Sequence, residues 1–149
     1  MIRIPFVASG PLPDRNNWIR LAETFVVEKA HALGVASASA PLFALAVHEA
    51  LTNAFLHGNK NLRDASIECE VELADGWFKV RIFDDGKGFS LSSVRALQTD
   101  PKRIDMLSEQ GFGLPIIQAV FPAVRTISRD GKFGLELGMA AGSAGTRAQ

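Results

Sequence analysis

The chain has 149 residues, 47% of them hydrophobic and 21% charged, which suffices for one domain with a real core and does not suggest two. Lysine plus arginine equals aspartate plus glutamate at 16 each, so no overall basic field exists to hold a nucleic acid or an anionic membrane, and any phosphate recognition must be local. One cysteine, Cys69, excludes an intramolecular disulfide and offers no metal-ligand cluster, which fits a reducing cytoplasm.

The opening Met1-Ile2-Arg3-Ile4-Pro5-Phe6 lacks the apolar core of a signal peptide, and no apolar run approaches the roughly 18 residues of a membrane span. A cytoplasmic protein without membrane or direct nucleic-acid contact is therefore expected. Over residues 2–8, Ile2, Ile4 and Phe6 alternate as in a short strand, and the prolines suggest a sheet edge before Gly10-Pro11-Leu12-Pro13 breaks the pattern. Trp18, Leu21, Ala22, Phe25, Val26 and Ala30 then recur at helical spacing, between Asp14 as N-cap and Gly34 as stop. A second helix is expected from a cap at Ser37 or Ser39, with Pro41 in its first turn, to about His57 before Gly58. Its apolar residues leave almost no polar side, so it should be largely buried.

After the polar loop 59–64, residues 66–73 alternate strictly, with Ile67, Cys69, Val71 and Leu73 on one face and three glutamates on the other, a strand with one wet side. Asp75-Gly76 is a hairpin turn, and Trp77 to Asp84 returns with Phe78, Val80 and Ile82 inward. Asp84 shares that parity and so sits at the strand end on the apolar side. Residues 85–113 read as a mobile loop with one helical turn near Ser92 to Leu97. A third helix follows from Leu114 to Phe121, with Pro115 near its start and Pro122 at its end. Two strands, Val124 to Ser128 and Lys132 to Ala140, close the domain around Asp130-Gly131, and Ala141 to Gln149 reads as a disordered tail. The expectation is a single α+β domain over 1–140: a two-layer sandwich of a mostly antiparallel, mixed sheet with three helices on one face.

Three pieces carry chemistry. Glu49 and Asn53 lie one helical turn apart on one face, with Thr52 close by. A buried carboxylate is costly unless it is paired, hydrogen-bonded or near a metal, and an amide oxygen suits Mg²⁺, which keeps several waters and bridges phosphates. Asp84 heads Asp84-Asp85-Gly86-Lys87-Gly88, where an acid in an apolar cleft can accept hydrogen bonds from a purine amino group. Gly111-Phe112-Gly113-Leu114 opens a helix, where backbone N–H groups can approach a phosphate. Each alone has a plainer reading: a satisfied polar pair in a helix, a turn aspartate, and loop glycines. Together they describe a purine ribonucleotide site.

The order Glu49-x-x-x-Asn53 with His57-Gly58-Asn59, then Asp84-x-Gly86-x-Gly88, then Gly111-x-Gly113, resembles the N, G1 and G2 boxes of the GHKL ATPase superfamily. That superfamily unites gyrase, the ninety-kilodalton chaperones, histidine kinases and the mismatch-repair protein MutL. Within it, Glu49-Ala50-Leu51-Thr52-Asn53-Ala54 and the small size are most similar to the stand-alone anti-sigma factor serine/threonine kinases, over about Leu12 to Ala140. The resemblance implies a Bergerat-type ATP-binding fold with ATP and Mg²⁺ as cofactors. It implies that Asn53 binds Mg²⁺ and Asp84 the adenine amino group. Gly86 and Gly88 would let the loop pass close to the nucleotide, and Gly111, Phe112, Gly113 and Leu114 would frame the phosphates at the end of an ATP lid. Glu49 would be the general base for a Ser or Thr hydroxyl on a small anti-sigma factor antagonist. The resemblance further implies sequestration of a sigma factor and a homodimer. Lys60, Lys87, Lys102 and Arg103 are all candidates for a phosphate-facing cation. The alternative is a nucleotide-gated binding module without phosphotransfer. A detached histidine-kinase catalytic domain is disfavoured, because no phosphoacceptor helix pair is present and the lid region is short.

Overall fold

The computed structural model describes residues 1–11, 15–54, 64–84 and 114–142. The element order is β1 (Ile2–Pro11), α1 (Arg15–Ala32), α2 (Pro41–Asn53), β2 (Asp64–Ala74), β3 (Trp77–Asp84), α3 (Leu114–Val120), β4 (Ala123–Arg129) and β5 (Lys132–Ala140). The α+β expectation holds: three helices pack on a five-stranded sheet of order β1-β2-β3-β5-β4. Every described pair is antiparallel, so the mixed component is not found among the described strands.

Local chemistry sets these elements. Asp75 and Gly76, at φ 53° and 79°, and Asp130 and Gly131, at φ 53° and 79°, occupy the left-handed pairs of two-residue turns whose twist suits a hairpin. Gly34, at φ 81°, stops the helix before it with two bonds: its own N–H donates to the His31 carbonyl, and the Val35 N–H donates to the Ala30 carbonyl. β1 extends past the expected break and pairs with β2 as far as Pro11 opposite Asp64. It is an edge strand, where a missing N–H is tolerated. Neither Ser37 nor Ser39 caps α2. Ala40, extended at φ −69° and ψ 137°, is the N-cap without a side-chain bond, because Pro41 in the first turn already removes one donor that would need one.

The helix-facing side of the sheet holds Ile67, Cys69, Val71, Phe78, Val80, Ile82 and Leu137, all essentially buried. Phe43 of α2 meets Phe78 of β3 at 6.3 Å between ring centres and Phe121, just beyond α3, at 5.6 Å. Burial pushes the Cys69 thiol up to about 12, so it behaves as a small apolar core group.

The outer side departs from the expected wet face. Glu70, Glu72, Arg81 and Glu136 are all buried there, at 6–9% exposure, because they cover one another. Arg81 stands opposite Glu70 on one neighbouring strand and Glu136 on the other. Its Nη1 donates to Glu70 at 2.7 Å and Glu72 at 3.0 Å, and its Nε donates to Glu136 at 2.8 Å. Arg129 grips Glu70 with two nitrogens and lies 4.7 Å over the Phe83 ring, while Arg3 and Arg125 close the lattice on Glu72 and Glu136. The Arg129 bond holds the Glu70 carboxyl below its usual range, and the Arg81 bond does the same for Glu72. Burial works against ionisation of Glu136, yet the bonds from Arg125 and Arg81 win and pull it down to about 2.

Gly134 fits this layering closely. A Cβ there would lie 2.6 Å from Phe83 Cδ1 and 2.9 Å from the Ile82 carbonyl oxygen, and the second contact is backbone. Gly134→Ala should lower stability by about 1–3 kcal/mol, read as an earlier urea midpoint at unchanged slope. An unmoved midpoint would mean that the strand shifts without cost.

Candidate functional site

α2 runs alongside β3, with Phe43 near Phe78 at one end and Ala50 and Ala54 near Ile82 and Asp84 at the other. At that second end the small alanines leave a pocket between helix and sheet. Asp84, Thr126, Phe133 and Leu135 complete its lining with Gly134. Asp84 is 4% exposed at the end of its strand, so the sequence parity argument placed it correctly. Apart from Thr126, the side chains that line the pocket with it are apolar, an arrangement that favours a ligand able to donate hydrogen bonds.

Asn53 is 2% exposed in the last turn of α2, between Ala50 and Ala54. Glu49, one turn earlier, departs from the expectation of a buried helix: it is only partly buried, and Leu42 and Leu45 on the same side are 53% and 42% exposed. α2 therefore has an inner stripe of Phe43, Ala46, Val47, Ala50 and Leu51 and an outer stripe ending at Glu49, since its neighbours α1 and α3 cover its flanks and leave this side uncovered by described residues. An acid at such a border is reachable from outside. Thr52 Oγ1 is buried with no hydrogen-bond partner among the described residues, which leaves an unsatisfied hydroxyl beside Asn53. His48 pairs with Glu23 of α1 at 2.9 Å, a helix-to-helix tie rather than part of the site.

The donor set fits the group implied for it. A purine amino group suits Asp84, and the orphan Thr52 hydroxyl and the Asn53 amide suit phosphate and hydrated Mg²⁺. Among the described residues no cluster of three or more His, Cys, Asp or Glu could hold a metal by itself. Between the described residues the pocket admits about 10 Å³, roughly one water. Phe133, one of its lining residues, is 43% exposed at the start of β5.

The remaining sequence candidates divide. Leu114 is buried at 2% exposure in the first turn of α3, which packs on α2; it does not line the pocket. Gly86, Gly88, Gly111, Phe112 and Gly113, with the cations Lys60, Lys87, Lys102 and Arg103, lie outside the described residues. Thr126 and Phe133 are pocket residues that sequence reasoning missed. Phe133 alternates inward with Leu135, Leu137 and Met139 in its own strand, a parity the sequence does show, whereas Thr126 takes its place opposite Leu135 only once β4 is paired with β5.

Residues 12–140 match the family model of the histidine kinase-like ATPase domain. The chain belongs to this family. Among proteins it resembles, the anti-sigma F factor of Clostridium botulinum (strain Eklund 17B / Type B) is 49% identical over 43 residues, 29% of this chain and 30% of that protein. The serine-protein kinase RsbW of Oceanobacillus iheyensis is 25% identical over 118 residues, 76% of this chain and 74% of its own length. RsbW of Staphylococcus epidermidis is 32% identical over 91 residues, 58% of this chain and 57% of its own. The match to the anti-sigma F factor thus spans under a third of that relative. No described helix of this histidine kinase-like ATPase domain is long and apolar enough to cross a membrane.

Proposed function

We propose that this domain binds Mg·ATP and transfers the terminal phosphoryl group to a Ser or Thr of a small anti-sigma factor antagonist, and that it also sequesters a sigma factor as a homodimer. The observation that carries the reading is Asp84, a carboxylate 4% exposed in a mostly apolar pocket lined by Ala50 and Ala54 of the segment that also carries Glu49 and Asn53, in a chain of the histidine kinase-like ATPase family. The relatives named anti-sigma F factor and serine-protein kinase support the choice of partners and acceptor.

In this reading Asp84 would accept the adenine amino group and Asn53 would offer its amide oxygen to Mg²⁺. The ion, when bound, neutralises charge on the phosphates. Gly86, Gly88, Gly111, Phe112, Gly113 and Leu114 are assigned to the nucleotide loops by motif. Glu49 orients the acceptor hydroxyl and takes its proton, and its place at the border of α2 lets a partner protein reach it. The domain so assigned comprises residues 1–140.

Asp84→Asn should weaken ATP binding about 10- to 100-fold in calorimetry, since the amide places a donor where the acceptor of a charge-assisted bond stood. Unchanged affinity would remove Asp84 from the site. Incubation with labelled ATP and candidate antagonist proteins then asks whether a Ser or Thr becomes labelled. Tight ATP binding without labelling would favour a nucleotide-gated binding module.

A further inference from the structure

On the outer face of the sheet, turned away from Asp84, a cleft of about 470 Å³ opens at the β4 end, lined in part by Trp77, Lys79, Ala123, Arg125, Glu136 and Gly138. Its floor is close to the backbone. Gly138 has no side chain, and a Cβ there would be in ordinary contact with Ala123 Cβ at 3.4 Å and Lys79 Cγ at 3.8 Å. One wall is Trp77, 44% exposed, an apolar ring that stacks on no aromatic partner among the described residues.

The charge of the cleft is unbalanced towards cations. Glu136 is already matched by Arg81 and Arg125. Arg125 uses only its Nε for that bond, with a side chain 67% exposed, so its terminal nitrogens remain available. Lys79 makes no ion pair among the described residues. Beside the cleft runs β4, the last strand of the sheet, which pairs only with β5 among the described strands. Its outward N–H and C=O groups can template another strand, and alternate side chains of an added strand fall on the outer face.

We propose that this cleft and the β4 edge form a second binding site, which takes an acidic, extended segment of a partner protein. The segment pairs with β4 by backbone hydrogen bonds. Its carboxylates meet Arg125 and Lys79, and one apolar side chain lies over Gly138 against Trp77. Residues 143–149 of this chain contain no Asp or Glu, so their side chains do not supply that charge. The site faces away from the nucleotide pocket, and it stands or falls independently of the kinase reading.

The test uses the full chain and a fluorescein-labelled hexapeptide that alternates glutamate with valine and leucine. Polarisation should saturate, and the Trp77 indole N–H resonance should move with it. Gly138→Val, which fills the floor, and Lys79→Ala, which removes a half-buried cation of the cleft, should each weaken binding, the first by tenfold or more, with melting temperatures near that of the parent. The inference is overturned by the absence of saturable binding, by equal binding of a lysine-alternating hexapeptide, or by parent-like affinity in both variants. It is also overturned if the Trp77 resonance moves with protein concentration rather than with peptide, which would make this face a contact between copies of the chain.

Discussion

Glu49→Gln should leave ATP affinity within a few-fold of the parent and cut phosphotransfer to the antagonist by about 10²–10⁴, the contribution of a positioned general base. The split matters more than the loss. Glu49 lies one turn before Asn53 but on the partly exposed border of α2, while Asn53 and the pocket residue Asp84 are nearly fully buried. On the proposed function, nucleotide contacts fall to the inner residues and the acceptor hydroxyl to the outer one. Single-turnover transfer at saturating ATP, compared with calorimetric affinity for the same nucleotide, separates the two. Equal transfer rates in parent and variant would make Glu49 a bystander, and a joint loss of affinity and transfer would move it into the nucleotide site.

Arg81→Met should cost up to about 3–5 kcal/mol of unfolding free energy, since it removes the guanidinium that Glu70, Glu72 and Glu136 share and leaves each of these buried acids only its bond to the part-exposed Arg129, Arg3 or Arg125. The effect has a pH signature. The three carboxyls titrate below their usual 4.5, with Glu136 down to about 2, so their stabilisation is present above about pH 4.5 and is lost as pH falls toward 2. The gap between parent and variant should therefore be wide at pH 7 and narrow as the acids take up protons. Urea unfolding across that range reads it. A gap independent of pH would mean that Arg81 acts through packing of its methylenes alone. Replacing all four charged residues by apolar ones of similar volume should cost far less than the single change, because the partners then left alone, Arg3, Arg125 and Arg129, have side chains 46%, 67% and 43% exposed and stay hydrated.

The contrast between the two faces of the sheet explains what could be seen beforehand. Ile67, Cys69 and Val71, the Asp-Gly turns and the parity of Asp84 are local patterns, and local patterns survive folding. Glu70 and Glu72 alternate just as clearly, yet their neighbours are not in their own strand. They are buried by Arg81, Arg129 and Arg3, residues brought beside them by strand order and register. Thr126 joined the pocket for the same reason. Ala40 took the cap position because proline chemistry outweighed serine preference, and Glu49 came out at a border because a helix packed on a sheet keeps one stripe free even when leucines occupy it. The burial of Asn53 and Asp84 was legible because each sits in a short patterned run, whereas the pocket walls come from four separate elements.

The seam between β3 and β5 has a consequence of its own. Hairpins β2–β3 and β4–β5 each close through a two-residue turn, but the centre of the sheet joins Asp84 to Phe133, across everything between them in the chain. Chain-closure entropy grows only with the logarithm of length, about 0.6 kcal/mol per doubling. Residues 85–113 can therefore be lengthened, shortened or rewritten at small thermodynamic expense while the seam holds. Such a junction lets the segment that follows Asp84 diverge with its task, and leaves the scaffold to the two hairpins and the arginine between them.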